Sequence, residues 1–330
     1  MTPPRLARTP FASFAAVMGL AGLAGAWGHA ARLLAMPQEI ATILLIVAAT
    51  LWLALLVVQI ARLIRHRAAV RTEVTSPFAG VFVSTFTVGS LALAAAAHPY
   101  LGSATAYLWW PATVLHLIVS VHVFGMWLAR SDVDLTTLSP AWFIPVVGTM
   151  VSSFAGAWLA PTAIAVGLWA LGFLLWFSMQ AIVLRRIFVA DRPLPPRLRP
   201  TLAILVAPPA VALIGWHALI AAPPSPAFTG AITVMMSLTP VVDAALVATG
   251  LFFAVLVLLP RTALYGAPFT LTWWATSFPF AALASAIVLA TAGGAYWWLG
   301  SLALGGATGW ILLLVVRSMV AVRRDIDAFL

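Results

Sequence analysis

Apolar residues dominate this chain in long stretches separated by short polar, proline or glycine breaks, giving candidate helices near 11–31, 39–64, 78–97, 104–129, 141–159, 162–189, 201–221, 228–258, 270–292 and 296–322. A bilayer core about 30 Å thick takes roughly 20 apolar residues per helical crossing. The pattern therefore predicts an all-α integral membrane protein with ten transmembrane helices.

The breaks alternate in kind. Those after the first, third, fifth, seventh and ninth helices are short and nearly uncharged, as at Met36-Pro37-Gln38, His98-Pro99-Tyr100 and Ala160-Pro161, whereas those after the even helices are longer and basic, as from Arg65 to Arg71 and from Arg185 to Arg199. Sixteen of the seventeen arginines, all but Arg32, fall with the N-terminus, the even-to-odd loops and the C-terminus. Loops rich in positive charge stay on the cytoplasmic side, so both termini are expected in the cytoplasm and the chain in the cell inner (plasma) membrane. Arg5 and Arg8 ahead of an apolar stretch also suit a signal peptide, but the run from Phe11 to Ala31 is longer than a signal core and more helices follow. It reads as a retained first helix.

Pro10, Pro77, Pro140, Pro200 and Pro268 stand at the entrances of the odd helices, at intervals of 67, 63, 60 and 68 residues. This spacing predicts five parallel hairpin repeats, about 10–66, 77–130, 140–190, 200–259 and 268–324, within one transmembrane domain spanning 1–330 and closing into a ring around a central pore. A plainer reading is that proline is simply tolerated in a first helical turn, where its missing N–H costs nothing.

Composition narrows the classes. With 63% hydrophobic and 8% charged residues, no water-soluble fold hides the apolar surface. The formal charge of +9 lies between apolar runs rather than on a soluble basic face, which argues against a nucleic-acid partner. Cysteine is absent, so thiolate sites and disulfides are excluded. Of the six histidines, His116 and His122 are six apart and do not share a helix face, while His29, His98 and His217 fall near outer helix ends, so no metal site and no cofactor is predicted. No P-loop, zinc-protease or nucleophile-elbow pattern is present, and no enzyme is expected.

The odd helices are rich in Gly, Ser, Thr and Ala, the even ones in Leu, Val and Trp. Small residues permit close helix contact and a narrow path, which places the odd helices inside, with Phe14, Phe82, Ser84, Thr149 and Ser153 as candidate lining residues. Pro145, Pro208 and Pro279 interrupt three odd helices in mid-span, and such breaks are tolerated mainly beside protein or a water-filled cavity. Their half-helix N-termini would attract an anion without a buried arginine. Phe278, just before Pro279, can plug or dewet a narrow path. Asp243 in the eighth helix is the one carboxylate within the membrane interior, a candidate for proton coupling or for a structural polar contact with Thr239 or another helix. Trp109-Trp110, Trp273-Trp274 and Trp297-Trp298 suit interfacial anchoring.

Arg71-Thr72-Glu73-Val74-Thr75-Ser76-Pro77, Pro140-Ala141-Trp142-Phe143-Ile144-Pro145-Val146-Val147, Ile204-Leu205-Val206-Ala207-Pro208 and Trp273-Trp274-Ala275-Thr276-Ser277-Phe278-Pro279 together resemble the tellurite-resistance/dicarboxylate transporter family, which includes the bacterial protein TehA and the plant guard-cell slow anion channels. The resemblance covers nearly the whole chain. It implies five hairpins around a pore, a homotrimer with one pore per subunit, and occlusion by a phenylalanine of the ninth helix, matched here by Phe278. It further implies passage of chloride, nitrate, sulfite, malate or related dicarboxylates, with tellurite as the phenotype behind the name. Val17 and Thr87 stand near positions where relatives carry a mid-helix proline. Two other classes stay open: a proton-coupled dicarboxylate or sulfite carrier, and a non-transporting membrane scaffold or sensor.

Overall fold

The computed structural model describes residues 5–129, 138–189, 193–259 and 266–329. Arg130, Arg192 and Arg261 of the basic loops lie outside them. Among the described residues there is helix and no strand. The long helices are α1 (Ala15–Leu34), α2 (Gln38–Arg65), α3 (Ser84–Leu101), α4 (Ala106–Leu128), α5 (Ile144–Leu159), α6 (Thr162–Val189), α7 (Ala207–Ala221), α8 (Thr229–Leu258), α9 (Ser277–Thr291) and α10 (Trp297–Phe329, with extended backbone at Asp325). Nine helical runs among the described residues are long and apolar enough to cross a membrane. One of these, Gly80–Leu128, is 49 residues long and contains both α3 and α4. It turns at Gly102, whose φ of 52° is accessible to glycine without a Cβ clash.

The helices sort into two sets by burial. In α1, α5, α7 and α9, 67–89% of the apolar stretch is buried, against 11–28% in α2, α6, α8 and α10. Each of α1, α3, α5, α7 and α9 packs on the next of that set, and α9 packs back on α1. Every outer helix touches the inner helix before it and the one after it, α10 reaching α1. Indole N–H groups tie the two sets together, Trp52 to Ser90, Trp169 to the Ala212 carbonyl, and Trp310 to Thr276. A hydrogen bond away from water meets little competition, so such ties fix helix register as well as distance.

Each inner helix is entered through a 3-10 segment, at Phe11–Phe14, Gly80–Val83, Pro140–Phe143, Pro196–Val206 and Leu271–Thr276. These segments touch one another in the same cyclic order as the helices they lead into. Here the structure corrects the expected mid-helix breaks. Pro145, Pro208 and Pro279 are the second, second and third residues of α5, α7 and α9, in the first α-helical turn, where a missing N–H is least costly. Helix continues through them with a change of pitch. The same change occurs before Val17 and Thr87, without proline.

The tryptophan expectation also needs correction. Trp297 and Trp298 are exposed, but Trp109 is fully buried, its indole N–H donating to the Ser152 carbonyl at 2.8 Å, and Trp274 is buried and donates to Ser318 at 3.0 Å.

Candidate functional site

Two cavities lie one beyond the other between the inner helices. The smaller, about 160 Å³, is bounded by the 3-10 entrances and first helical turns, through residues such as Pro10, Phe82, Ile144, Leu271 and Pro279. Its only hydroxyl side chains are Thr85 and Thr272, and both are occupied, Thr85 donating to the Phe11 and Phe82 carbonyls and Thr272 to the Arg197 carbonyl. The larger, about 590 Å³, lies among the later turns of the same helices and carries Gly25, Arg32, Ala95, Trp158 and Ala221.

Among the described residues, Phe278 is the one that lines both cavities. It is buried, at 5% exposure, and follows the Leu271–Thr276 segment directly as the second residue of α9. Across from it stands Gly22 of α1, where a Cβ would lie 3.0 Å from the ring's Cδ2. A glycine here lets α1 approach the ring closely. Three residues further along α1, Gly25 faces open space.

The other sequence candidates divide. Phe82 lines the smaller cavity, as does Pro279. Phe14, Ser84, Thr149, Ser153, Pro145 and Pro208 line neither. Phe14 is fully buried, edge-on to Phe86 at 4.9 Å. Thr149 and Ser153 return their hydroxyls to the Val146 and Met150 carbonyls of their own helix and face Gly172 of α6 and Gly215 of α7. Hydroxyls that satisfy themselves in this way are at home in close helix contacts, where small size matters and polarity is already spent. The Pro145 carbonyl accepts from Ser120 of α4. The face of α5 turned to the cavities is instead Ile144, Val147, Gly148, Phe154 and Trp158.

Histidines passed over in the sequence converge on the larger cavity. His29, His98 and His217 line it, with Arg32 as the one formal cation and no carboxylate among the described residues of the lining. His29 Nδ1 is 2.6 Å from Ser285 Oγ, and His98 Nδ1 is 3.1 Å from both the Gly102 carbonyl and Thr105 Oγ1. His217 Nε2 lies 2.9 Å from Asp243 Oδ1, so the membrane carboxylate is paired from behind the cavity wall. Thr239, by contrast, accepts from the Trp216 indole. His116 is fully buried against Thr87 and Ser120, away from both cavities, and His122 is exposed. No group of three or more metal-ligating side chains occurs among the described residues.

Residues 8–319 match the family described as voltage-dependent anion channel (SLAC1). The chain is 25% identical over 295 residues to the S-type anion channel SLAH2 of Arabidopsis thaliana, a match covering 87% of this chain and 53% of that one. It is also 25% identical over 211 residues to an uncharacterized transporter of Methanocaldococcus jannaschii, covering 59% of this chain and 60% of the other. The chain thus spans between about half and three-fifths of the length of these relatives.

Proposed function

Because the chain belongs to the voltage-dependent anion channel (SLAC1) family and is a multi-pass membrane protein, we propose that it passes small anions through a path enclosed by α1, α3, α5, α7 and α9, with Phe278 closing that path in the structure described here. The observation that carries this reading is the position of Phe278 as the sole side chain shared by two cavities in line. The cyclic packing of the inner helices supports five hairpins in a ring, with α3 and α4 as separate crossings, ten in all. Chloride, nitrate, sulfite and malate-like carboxylates are the expected cargo, consistent with a lining that has one arginine and no acid. On this reading the 3-10 entrances face the cytoplasm with the arginine-rich loops and both termini, in the plasma membrane, and the outer helices face lipid or the other subunits of a homotrimer.

The smaller cavity, whose threonine hydroxyls are already bonded to backbone carbonyls, suits passage more than tight capture. Current across a planar bilayer under a nitrate gradient tests the reading, and repeating it under a pH gradient separates a channel from a proton-coupled carrier. A protein that reconstitutes in folded form yet gives neither current nor flux is a scaffold or sensor, and the proposal fails.

The enclosed path makes a second expectation, aided by the absence of native cysteine. Cysteines at Gly25 and Ala95, which line the larger cavity, should react with a water-soluble thiol reagent at least about tenfold faster than cysteines at Leu55 or Leu175. Cysteines at Thr149 and Ser153 should be as slow as the lipid-facing pair, because their side chains lie between helices. Fast labelling at Thr149 and Ser153 would place the path elsewhere.

A further inference from the structure

We propose that the larger cavity holds a binding site for a small anion, formed by Arg32, His29 and His217, and that the anion is bound together with a proton taken up by His217. This rests on the transport reading above and adds to it a specific site and a linked ion.

The three side chains come from opposite parts of the bundle, His29 and Arg32 from the end of α1 and His217 from the end of α7. All three line the larger cavity. Arg32 has no ion pair among the described residues, although the cavity contains no acid to compete for it. Ser285 is buried on α9 with its Oγ 2.6 Å from Nδ1 of His29, and in the tautomer in which that hydroxyl donates, the neutral ring carries its proton on Nε2. His29 then offers an N–H donor without becoming a cation.

His217 is arranged differently. The Asp243 carboxylate accepts from Nε2, which leaves Nδ1 of the neutral ring as a bare lone pair that repels an anion. A proton from water on that lone pair converts it to a donor and makes the ring a cation already matched by Asp243. The charge count points the same way. In the empty site Arg32, exposed near the end of α1, and Asp243 sum to zero, an anion alone leaves the site at −1, and a proton on His217 restores neutrality. Uncompensated charge is costly inside a membrane protein, so anion and proton binding reinforce one another, and by linkage the effect is reciprocal.

The remaining titratable groups around the site are accounted for. His98 of α3 is engaged with Gly102 and Thr105 and lies against Trp158. The Tyr100 hydroxyl is held by Gln38 and Thr42. Glu39 of α2 is exposed and does not line the cavity. From α5 come only Phe154 and Trp158, from α9 only the Ser285 hydroxyl already described.

The test uses the purified full chain in weakly buffered detergent with a pH-indicating dye. Sodium nitrate is the probe, because its conjugate acid is strong and the anion brings no proton. Nitrate is expected to draw protons from solution, saturably and up to one per bound anion, with apparent affinity rising by up to about tenfold for each unit that pH is lowered. His217→Gln should abolish proton uptake and make the remaining, weaker binding independent of pH. Asp243→Asn should also abolish uptake, but with Arg32 no longer offset it should bind nitrate at pH 8 at least as tightly as wild type does at pH 6. Arg32→Gln should weaken binding about tenfold or more at every pH. If one variant fails to fold, the other two still decide the matter. Nitrate binding without proton uptake, or uptake that survives both His217→Gln and Asp243→Asn, overturns the inference. Nitrate flux into liposomes separates the two levels: flux without proton linkage sinks this inference alone, whereas linked binding without flux sinks the transport reading and leaves the site.

Discussion

Replacing Phe278 with alanine is expected to raise anion current per molecule by about tenfold or more. Among the described residues the ring is the only side chain bordering both cavities, so its removal joins about 160 Å³ to about 590 Å³ of space. Tenfold in rate corresponds to about 1.4 kcal/mol off the barrier, a small demand on a phenyl ring that otherwise keeps ions from leaving one cavity for the other. The competing view treats Phe278 as ordinary core. It predicts a destabilised protein, by about 3–5 kcal/mol for a buried Phe→Ala change, and no gain in current. Currents normalised to folded protein in the membrane separate the two, and an unchanged or smaller current per molecule excludes the gate. Gly22→Ala provides the opposite perturbation. Its added methyl would press on the ring at 3.0 Å and hinder its displacement, so current should fall several-fold. Gly25→Ala, with open space above it, should have the smaller effect.

The largest expected loss of stability comes from the anchoring of the N-terminal segment. Arg62 at the end of α2 and Glu73 in the short helix Arg67–Val74 form a buried ion pair, at 4% and 9% exposure. Together they hold the N-terminal segment. Arg62 donates from Nε to the Ala7 carbonyl, Gln59 donates to the Thr9 carbonyl, and Glu73 accepts from the Phe11 N–H at 2.8 Å. Removing one partner of such a pair leaves a buried charge without compensation, at a cost of about 3–5 kcal/mol. Glu73→Ala should therefore lower the thermal unfolding midpoint in detergent by several degrees. Arg62→Met combined with Glu73→Leu should recover most of the loss, since apolar residues of similar volume remove both charges at once. A Glu73→Ala protein that unfolds with wild type would show that the pair does not anchor this segment. Pro10 and Ala12 of the same segment line the smaller cavity, so its loosening would also be felt by the proposed path.

Much of this architecture was legible in the sequence because a helix surrounded by apolar material must satisfy its own backbone. Apolar run length then sets helix length, and the expected 162–189 and 39–64 agree with Thr162–Val189 and Gln38–Arg65. The seventh run was placed at 201, too late, because helix in 3-10 form begins at Pro196 and passes through Pro200, against the usual reading of proline as a boundary. Phe278 stands out in the sequence by its place beside Pro279 in a helix of small residues, and its ring borders both cavities. Ser84, Thr149 and Ser153 line neither cavity: Thr149 and Ser153 bond their own helix and fill helix contacts, and Ser84 is fully buried, so a hydroxyl in the sequence does not by itself mark a wet surface. The histidine cluster was missed for another reason. His29, His98 and His217 are far apart in the chain, and their convergence depends on three helices ending at one level. The signal available was that each lies in the last turns of an odd helix.

The 3-10 entrances make the length of each inner helix adjustable. A residue advances the chain by about 2.0 Å in 3-10 form and about 1.5 Å in α form, with turns of roughly 120° and 100°. The six residues Leu271–Thr276 stand immediately before Ser277 and Phe278. Relaxing them to the wider α-helix would draw the following helix back by about 3 Å and rotate it by about 120°. A phenyl ring at the second position of that helix would be carried about a third of a turn around the helix axis, so a local rewinding at the entrance acts as a screw that converts pitch into the angular position of the ring.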